Sequence, residues 1–333
     1  MKRQCGFLLG KFMPPHAGHL SMIAAARELV EELTVLVCWL PDDPIPGSLR
    51  LEWMRALCPG CNVVGHGEVV PQLPEDSPDF WPIWRNIVRR AHPDPIDLLF
   101  AGESYGSRLA QEVGGLFVPL GNRVLASGSD RLGQASGRAV RADPAGHWPL
   151  LPEPVRAHYR KRICLHGSES TGKSTLAGLL AAQFDTIWVG EYGRSHCEAH
   201  RDPLDLPALE LIADAQQAMN AAAEPWAGPL LIADTDALMT AAWTEMLLGV
   251  RPAAMMKQPK ADLYLLMEPD IAWIDDGTRF FSSEADRARF AAIVEQVLID
   301  AEVPFVRISG NWAERERQGC EALRKVLSAI GRA

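Results

Sequence analysis

The chain has 333 residues, 47% of them hydrophobic, and a formal net charge of −9. That is length enough for two domains with full cores, and the acidic balance argues against a general nucleic-acid binder, whose footprint is usually basic. No apolar run approaches the ~20 residues that span a bilayer. The stretch before Lys11 is too short for a secretory signal core. The chain therefore reads as globular and cytoplasmic, with no stable membrane association and no nucleic-acid partner. The seven cysteines are mostly scattered, as in a reducing compartment. The one close pair, Cys58-Pro59-Gly60-Cys61, lacks the second pair that a zinc site needs and reads as a loop with two ordinary thiols.

In chain order, Phe7-Leu8-Leu9 reads as a first strand, followed by a loop containing glycine, proline and histidine and by a helix near residues 20–32. Residues 33–40 form a continuous apolar run, as a buried parallel strand requires. Residues 96–101 and 116–120 are further strand candidates. Strand alternating with helix means a parallel α/β sheet. The proline-rich stretch 144–154, with Trp148, reads as a connector, and it divides the chain into domains 1–157 and 158–333. A second α/β series follows, with a strand beginning at Ile163 and others at 186–189, 230–233, 263–267 and 305–308.

Gly167-Ser168-Glu169-Ser170-Thr171-Gly172-Lys173-Ser174 matches the pattern G-x-x-x-x-G-K-[ST] in full, after a strand and before an apolar helix from Thr175. Backbone N–H groups of such a loop curl around phosphates, and the helix N-terminus adds positive potential. Lys173 is expected to reach the β- and γ-phosphates of ATP, and Ser174 to bind Mg²⁺. Behind it, Asp234-Thr235-Asp236 ends an apolar run where the metal shell needs an acid, with Asp234 the candidate. Glu191-Tyr192-Gly193-Arg194 follows the second strand, where Glu191 can orient an attacking hydroxyl. Tyr192, Arg194 and Asp236 are candidate substrate contacts. Trp273-Ile274-Asp275-Asp276-Gly277-Thr278-Arg279 lies where small-molecule kinases carry an arginine-bearing lid, and Arg279 is the candidate for stabilising the transferred phosphoryl group.

The first half carries a different phosphate motif. Gly10-Lys11-Phe12-Met13-Pro14-Pro15-His16-Ala17-Gly18-His19 follows the first strand and opens a helix, with both histidines in its first turn. Imidazoles at a helix N-terminus can donate hydrogen bonds to a triphosphate, and Gly18 lets a phosphate approach the backbone. Attack on the α-phosphorus then runs on positioning and charge stabilisation. Ser136-Gly137 enters another helix with Arg141 one turn in, expected to approach the β- and γ-phosphates from the side opposite the histidines.

Taken together, the chain resembles the NadR family of bifunctional nicotinamide-nucleotide adenylyltransferases and ribosylnicotinamide kinases. The resemblance rests on the His16-x-Gly18-His19 loop, Trp81-Pro82-Ile83-Trp84 with Asn86, and Gly102-Glu103-Ser104-Tyr105-Gly106. Asp130-Arg131, the segment ending at Arg141, His147-Trp148 and the three kinase motifs extend it. It implies a Rossmann-like nucleotidyltransferase domain followed by a P-loop kinase. It also implies Mg²⁺ as the metal, and ATP, nicotinamide riboside, nicotinamide mononucleotide (NMN) and NAD as ligands. The kinase would phosphorylate the riboside to NMN, and the transferase would join NMN to AMP, giving NAD and pyrophosphate. Trp81, Trp84, Asn86 and Tyr105 are the expected substrate contacts in the first domain, because a cationic pyridinium ring stacks well on an indole face. Some members carry an N-terminal helix-turn-helix that represses transcription, whereas this sequence opens on the catalytic strand. Arg138 and Gln134 depart from the family pattern. Two rival readings are an adenylyltransferase for another phosphorylated metabolite, such as phosphopantetheine, fused to a small-molecule kinase, and a non-catalytic NAD or ATP sensor. Assembly into a homo-oligomer is left open.

Overall fold

The computed structural model describes residues 3–103, 105–121, 136–200, 203–271, 280–281 and 283–331. It is α/β throughout, with two five-stranded, wholly parallel sheets. Two compact units divide between His158 and Tyr159, the first also taking in Gly331.

In the first unit β1 (Arg3–Gly10) is followed by α1 (Ala17–Leu29), β2 (Val30–Cys38), α2 (Gly47–Leu57), β3 (Asn62–His66) and α3 (Phe80–Ala91). Then come β4 (Leu98–Ala101), α4 (Tyr105–Val113), β5 (Leu116–Pro119), α5 (Gly137–Ala142) and α6 (Glu153–Tyr159). The strand order is β3-β2-β1-β4-β5. The chain reverses direction across the sheet between β1 and β4, and a crevice opens there at the carboxyl ends of the strands, where ligands of such sheets bind. Phe7, Leu8, Val35, Val37, Leu99 and Phe100 form the buried centre.

The boundaries differ from the sequence reading at two places. The helix stops at Leu29 and β2 starts at Val30, because Val30 and Glu32 pair with Arg3 and Cys5 of β1. Sheet pairing overrides the helix preference of the two glutamates. The stretch 144–154 is not a free connector, since Trp148 and Leu151 are buried within the first unit. Cys58 and Cys61 are free cysteines in a turn closing α2.

In the second unit β6 (Lys161–His166) leads through the phosphate loop to α7 (Lys173–Gln183). After these come β7 (Trp188–Val189), α8 (Tyr192–Ala199), α9 (Leu206–Ala223), β8 (Leu230–Ala233) and α10 (Ala237–Leu248). The unit closes with α11 (Ala253–Met256), β9 (Leu263–Met267), α12 (Glu284–Asp300), β10 (Phe305–Ile308) and α13 (Trp312–Ala329). The order β10-β9-β6-β8-β7 puts β6 at the centre with β8 beside it. Cys164 pairs with Ala233 and Val189 with Ala233, so the residues after β6, β8 and β7 emerge side by side at the carboxyl ends of the strands. None of the described helices is long and apolar enough to cross a membrane.

Candidate functional sites

The first site is a cavity of ≈ 1270 Å³ lined by Gly10, Lys11, Phe12, His16, Gly18, His19, Trp81, Trp84, Tyr105, Ser136, Gly137 and Arg141. The volume exceeds the ~300–1,000 Å³ of ordinary ligand pockets. His16 caps α1. Its Nδ1 accepts the N–H of Gly18 at 3.2 Å, which leaves the proton of the neutral ring on Nε2. The His16 and His19 rings lie 3.9 Å apart by centroid, so the two imidazoles form one surface. Burial lowers His16 to about 4, with the neighbouring His147 adding to it, and lowers His19 to about 3, with His16 adding to it. Both rings are neutral hydrogen-bond donors at physiological pH. Nδ1 of His19 is buried with no partner among the described residues.

Arg141 is in the same cavity, but its guanidinium turns onto the histidine loop and donates to the carbonyl oxygens of Met13 and Gly137. Gly137 packs so closely that a Cβ there would meet Met13 O at 2.6 Å, so glycine is required. Ser136 caps α5 through Ala139 N at 3.1 Å. Trp84 is buried and donates from Nε1 to Pro71 O at 2.9 Å. Trp81 is half-buried and carries the Arg108 guanidinium over its ring at 5.8 Å. Burial pushes the Tyr105 phenol above its ordinary range. Asn86 does not join them: it is exposed on α3, one residue off the apolar face formed by Phe80, Trp84, Ile87 and Val88.

A supporting network here escaped the sequence reading. Arg50 is fully buried and donates to Asp43 Oδ2, Lys11 O and Cys38 O at 2.6, 2.6 and 3.4 Å. Asp43 also pairs with Lys11 Nζ at 3.3 Å. The loop after β1 is therefore held from beneath by a charge pair whose members lie 32 and 39 residues beyond Lys11, a spacing with no local signature.

The second site is a cavity of ≈ 280 Å³ in the second unit, lined by Glu169, Ser170, Gly172, Lys173, Ser174, Thr175, Glu191, Arg194, Trp243 and Phe280 among others. Gly172 has φ +84°, and Ser170 stands at φ +60°. Lys173 Nζ donates to the carbonyls of Gly167 and Ser168 at 2.9 and 3.1 Å, which holds the ammonium over the loop. Thr171 is buried and donates from Oγ1 to Ser168 O at 2.8 Å. Ser174 donates to Asp234 Oδ2 at 2.5 Å, and Asp234 Oδ1 is buried without a partner among the described residues. No cluster of three His, Cys, Asp or Glu groups able to hold a metal occurs among the described residues. This donor set fits Mg²⁺, which takes one or two protein oxygens and fills its octahedron with phosphate oxygens and water.

Glu191 begins α8 at the cavity wall without capping the helix. Asp236 does not reach this cavity, contrary to expectation. Its carboxylate caps α10 through Leu238 and Met239 N–H and accepts the Tyr264 hydroxyl, so both oxygens are used inside the fold. Tyr192 packs against the apolar cluster that includes Leu209, Ile212 and Ala213 and is not among the lining residues. Arg279 and the motif from Trp273, like Asp130, Arg131, Gln134 and Ser104, lie outside the described residues. Arg315, which the sequence reading missed, is fully buried and donates to Thr171 O at 3.1 Å, Gly310 O at 2.8 Å and Glu268 O at 2.9 Å, bracing the phosphate loop. It also pairs with Asp270.

Residues 162–315 match a family model described as an AAA domain. Over 331 residues the chain is 26% identical to the trifunctional NAD biosynthesis/regulator protein NadR of Escherichia coli, covering 92% of this chain and 79% of that protein. The NadR of Salmonella typhimurium is 24% identical over 332 residues, with the same coverage. A crystal structure of a NadR protein in complex with NR superposes with a TM-score of 0.72 at 20% identity, covering 98% of this chain and 97% of that one. A second, in complex with NAD and AMP-PNP, gives 0.71 over 98% and 96%. The fold is shared along nearly the whole chain.

Proposed function

We propose that this chain, a homologue of the NadR proteins, is a bifunctional enzyme of NAD synthesis. It phosphorylates nicotinamide riboside to NMN in the second unit and adenylylates NMN to NAD, with release of pyrophosphate, in the first. The observation that carries the reading is the presence in one chain of two different loops with phosphate-binding sequence patterns, each opening a helix in its own cavity.

In the second unit Lys173 and the loop amides would hold the ATP phosphates, and Ser174 and Asp234 would hold Mg²⁺. When bound, Mg²⁺ would supply charge neutralisation at the transferring phosphoryl group. Glu191 would accept a hydrogen bond from the 5′-hydroxyl of the riboside and draw off its proton as the oxygen attacks. Arg194 would contact the substrate from the same wall.

In the first unit the neutral His16 and His19 would donate hydrogen bonds to the triphosphate of ATP. Charge then builds on the phosphoryl oxygens as the NMN phosphate attacks the α-phosphorus, and these fixed donors cost no reorganisation at that moment. Trp81, Trp84 and Tyr105 would form the wall beside the pyridinium ring. The Arg108 guanidinium already covers part of Trp81, so Trp84 and Tyr105 carry more of that contact. The direct test is incubation of the purified chain with nicotinamide riboside, ATP and Mg²⁺, with the products resolved by chromatography. NMN, NAD and pyrophosphate are expected. Pantetheine supplied in place of the riboside tests the rival adenylyltransferase, and a chain that binds NAD or ATP but turns neither substrate over would be a sensor.

A further inference from the structure

Glu169 is an acid inside a phosphate-binding loop, where a negative charge opposes a bound triphosphate. Its side chain is buried and engaged elsewhere. Oε2 accepts the backbone N–H of Phe280 at 3.1 Å, and Oε1 that of Phe281 at 2.9 Å. Residues 280 and 281 belong to no helix or strand, so their N–H groups have no ladder to join and need such a partner.

Those two residues carry one wall of the acceptor cavity. Phe280 lines it, with its ring 5.4 Å from that of Trp243. The Phe281 ring stacks on Trp243 at 5.7 Å and 20°. Trp243 lines the cavity too, and is braced from behind by Phe290 at 4.4 Å. Aromatic contacts of this kind are attractive but tolerate sliding, since offset-stacked and edge-to-face geometries are all favourable. The directed element is the pair of charge-assisted hydrogen bonds to Glu169.

We propose that Glu169 is a positioning residue of the acceptor site. Through the Phe280 and Phe281 amides it sets the aromatic wall of Phe280, Phe281 and Trp243 against which the ring of an aromatic nucleoside rests. It ties that wall to the loop that holds the ATP phosphates. The backbone of Glu169 stays with the phosphate loop while its side chain serves the other substrate. This inference rests on the kinase reading above.

The test measures riboside phosphorylation by the full chain, as KM and kcat, together with AMP-PNP affinity in Mg²⁺ by calorimetry. Glu169→Ala should raise the riboside KM about tenfold or more, with a smaller fall in kcat and AMP-PNP affinity within about threefold. Glu169→Gln keeps one acceptor oxygen and should fall between wild type and Glu169→Ala. Phe280→Ala should raise KM by itself, and the double variant Glu169→Ala/Phe280→Ala should be no worse than the poorer single one, as for two residues acting through one contact. An unchanged KM in Glu169→Ala overturns the inference, as do additive effects in the double variant. So does a loss of AMP-PNP affinity equal to the loss in KM, which would put the carboxylate at the phosphates. Thermal unfolding checks that each variant is folded, and Glu169→Gln carries the test if Glu169→Ala is not. A wild-type chain that leaves the riboside unphosphorylated removes the kinase reading and this inference with it. An active wild type with an indifferent Glu169→Ala removes the inference alone.

Discussion

The Ser174 hydroxyl donates to Oδ2 of Asp234 at 2.5 Å, while Oδ1 of the same carboxylate is buried and unpartnered among the described residues. Burial raises Asp234 above the usual carboxylate range, and the nearby Lys173 charge works against that rise. A divalent cation would satisfy the orphaned oxygen. Asp234→Asn should therefore weaken Mg²⁺-dependent binding of AMP-PNP by about 10–100-fold, the range seen when a metal site loses a supporting group. Titration with and without Mg²⁺ separates the two contributions. An unaltered Mg²⁺ requirement would take Asp234 out of the metal shell.

Glu191 is expected to act on the acceptor and not on ATP. Glu191→Gln should lower the single-turnover phosphorylation rate by about 10²-fold or more while leaving AMP-PNP affinity nearly unchanged. Normal turnover in this variant would exclude a proton-accepting role for Glu191. Asp236 could not inherit that role, because its oxygens are committed to α10 and Tyr264.

Arg50 offers a test of the first site that touches no phosphate-binding side chain. Arg50→Met removes the buried partner of Asp43 and the donor to Lys11 O. Loss of one member of a buried ion pair costs about 3–5 kcal/mol. The variant should unfold at lower denaturant concentration and lose NAD formation from NMN, with riboside phosphorylation retained. Equal loss of both activities would contradict the separate-site account.

The two histidines also predict a pH dependence of stability. Each has a folded pKa below its unfolded value near 6.5, at about 4 for His16 and about 3 for His19. Between those limits the unfolded chain binds more protons, so stability falls as pH falls. Each histidine adds a slope of about 1.4 kcal/mol per pH unit in that window. Denaturant unfolding followed from pH 7 to pH 5 should show a shallower loss for His19→Asn than for wild type. Identical slopes would mean that His19 is not buried as a neutral ring.

Both helix-opening loops were legible in the sequence because each depends on a short, contiguous pattern: glycines where the backbone turns, and a lysine or histidines at a helix start. Most strands were legible because a buried parallel strand is a continuous apolar run, as at residues 33–38 and 230–233. What the sequence concealed is held together across distance. Arg50 reaches Lys11, and Arg315 reaches Thr171 over 144 residues, with no periodicity to mark either. Asp236 misled for the opposite reason. An acid after a strand reads the same whether it faces a ligand or caps the next helix, and only the Tyr264 hydroxyl and the α10 amides distinguish the two. The short strand β3, interrupted by Gly65, lacked the continuous run that marked its neighbours.

The central claim, two independent active sites working in series, is tested most directly by mixing two single variants. Lys173→Ala should lose riboside phosphorylation and keep NAD formation from supplied NMN. His19→Ala should do the reverse, its adenylyl transfer slowed by about 10²-fold or more. Given nicotinamide riboside, ATP and Mg²⁺, neither variant alone should make NAD at an appreciable rate. An equimolar mixture of the two should restore NAD formation, with NMN passing through solution. A mixture as inactive as its components, with both proteins folded and each retaining its predicted half-reaction, would contradict the account.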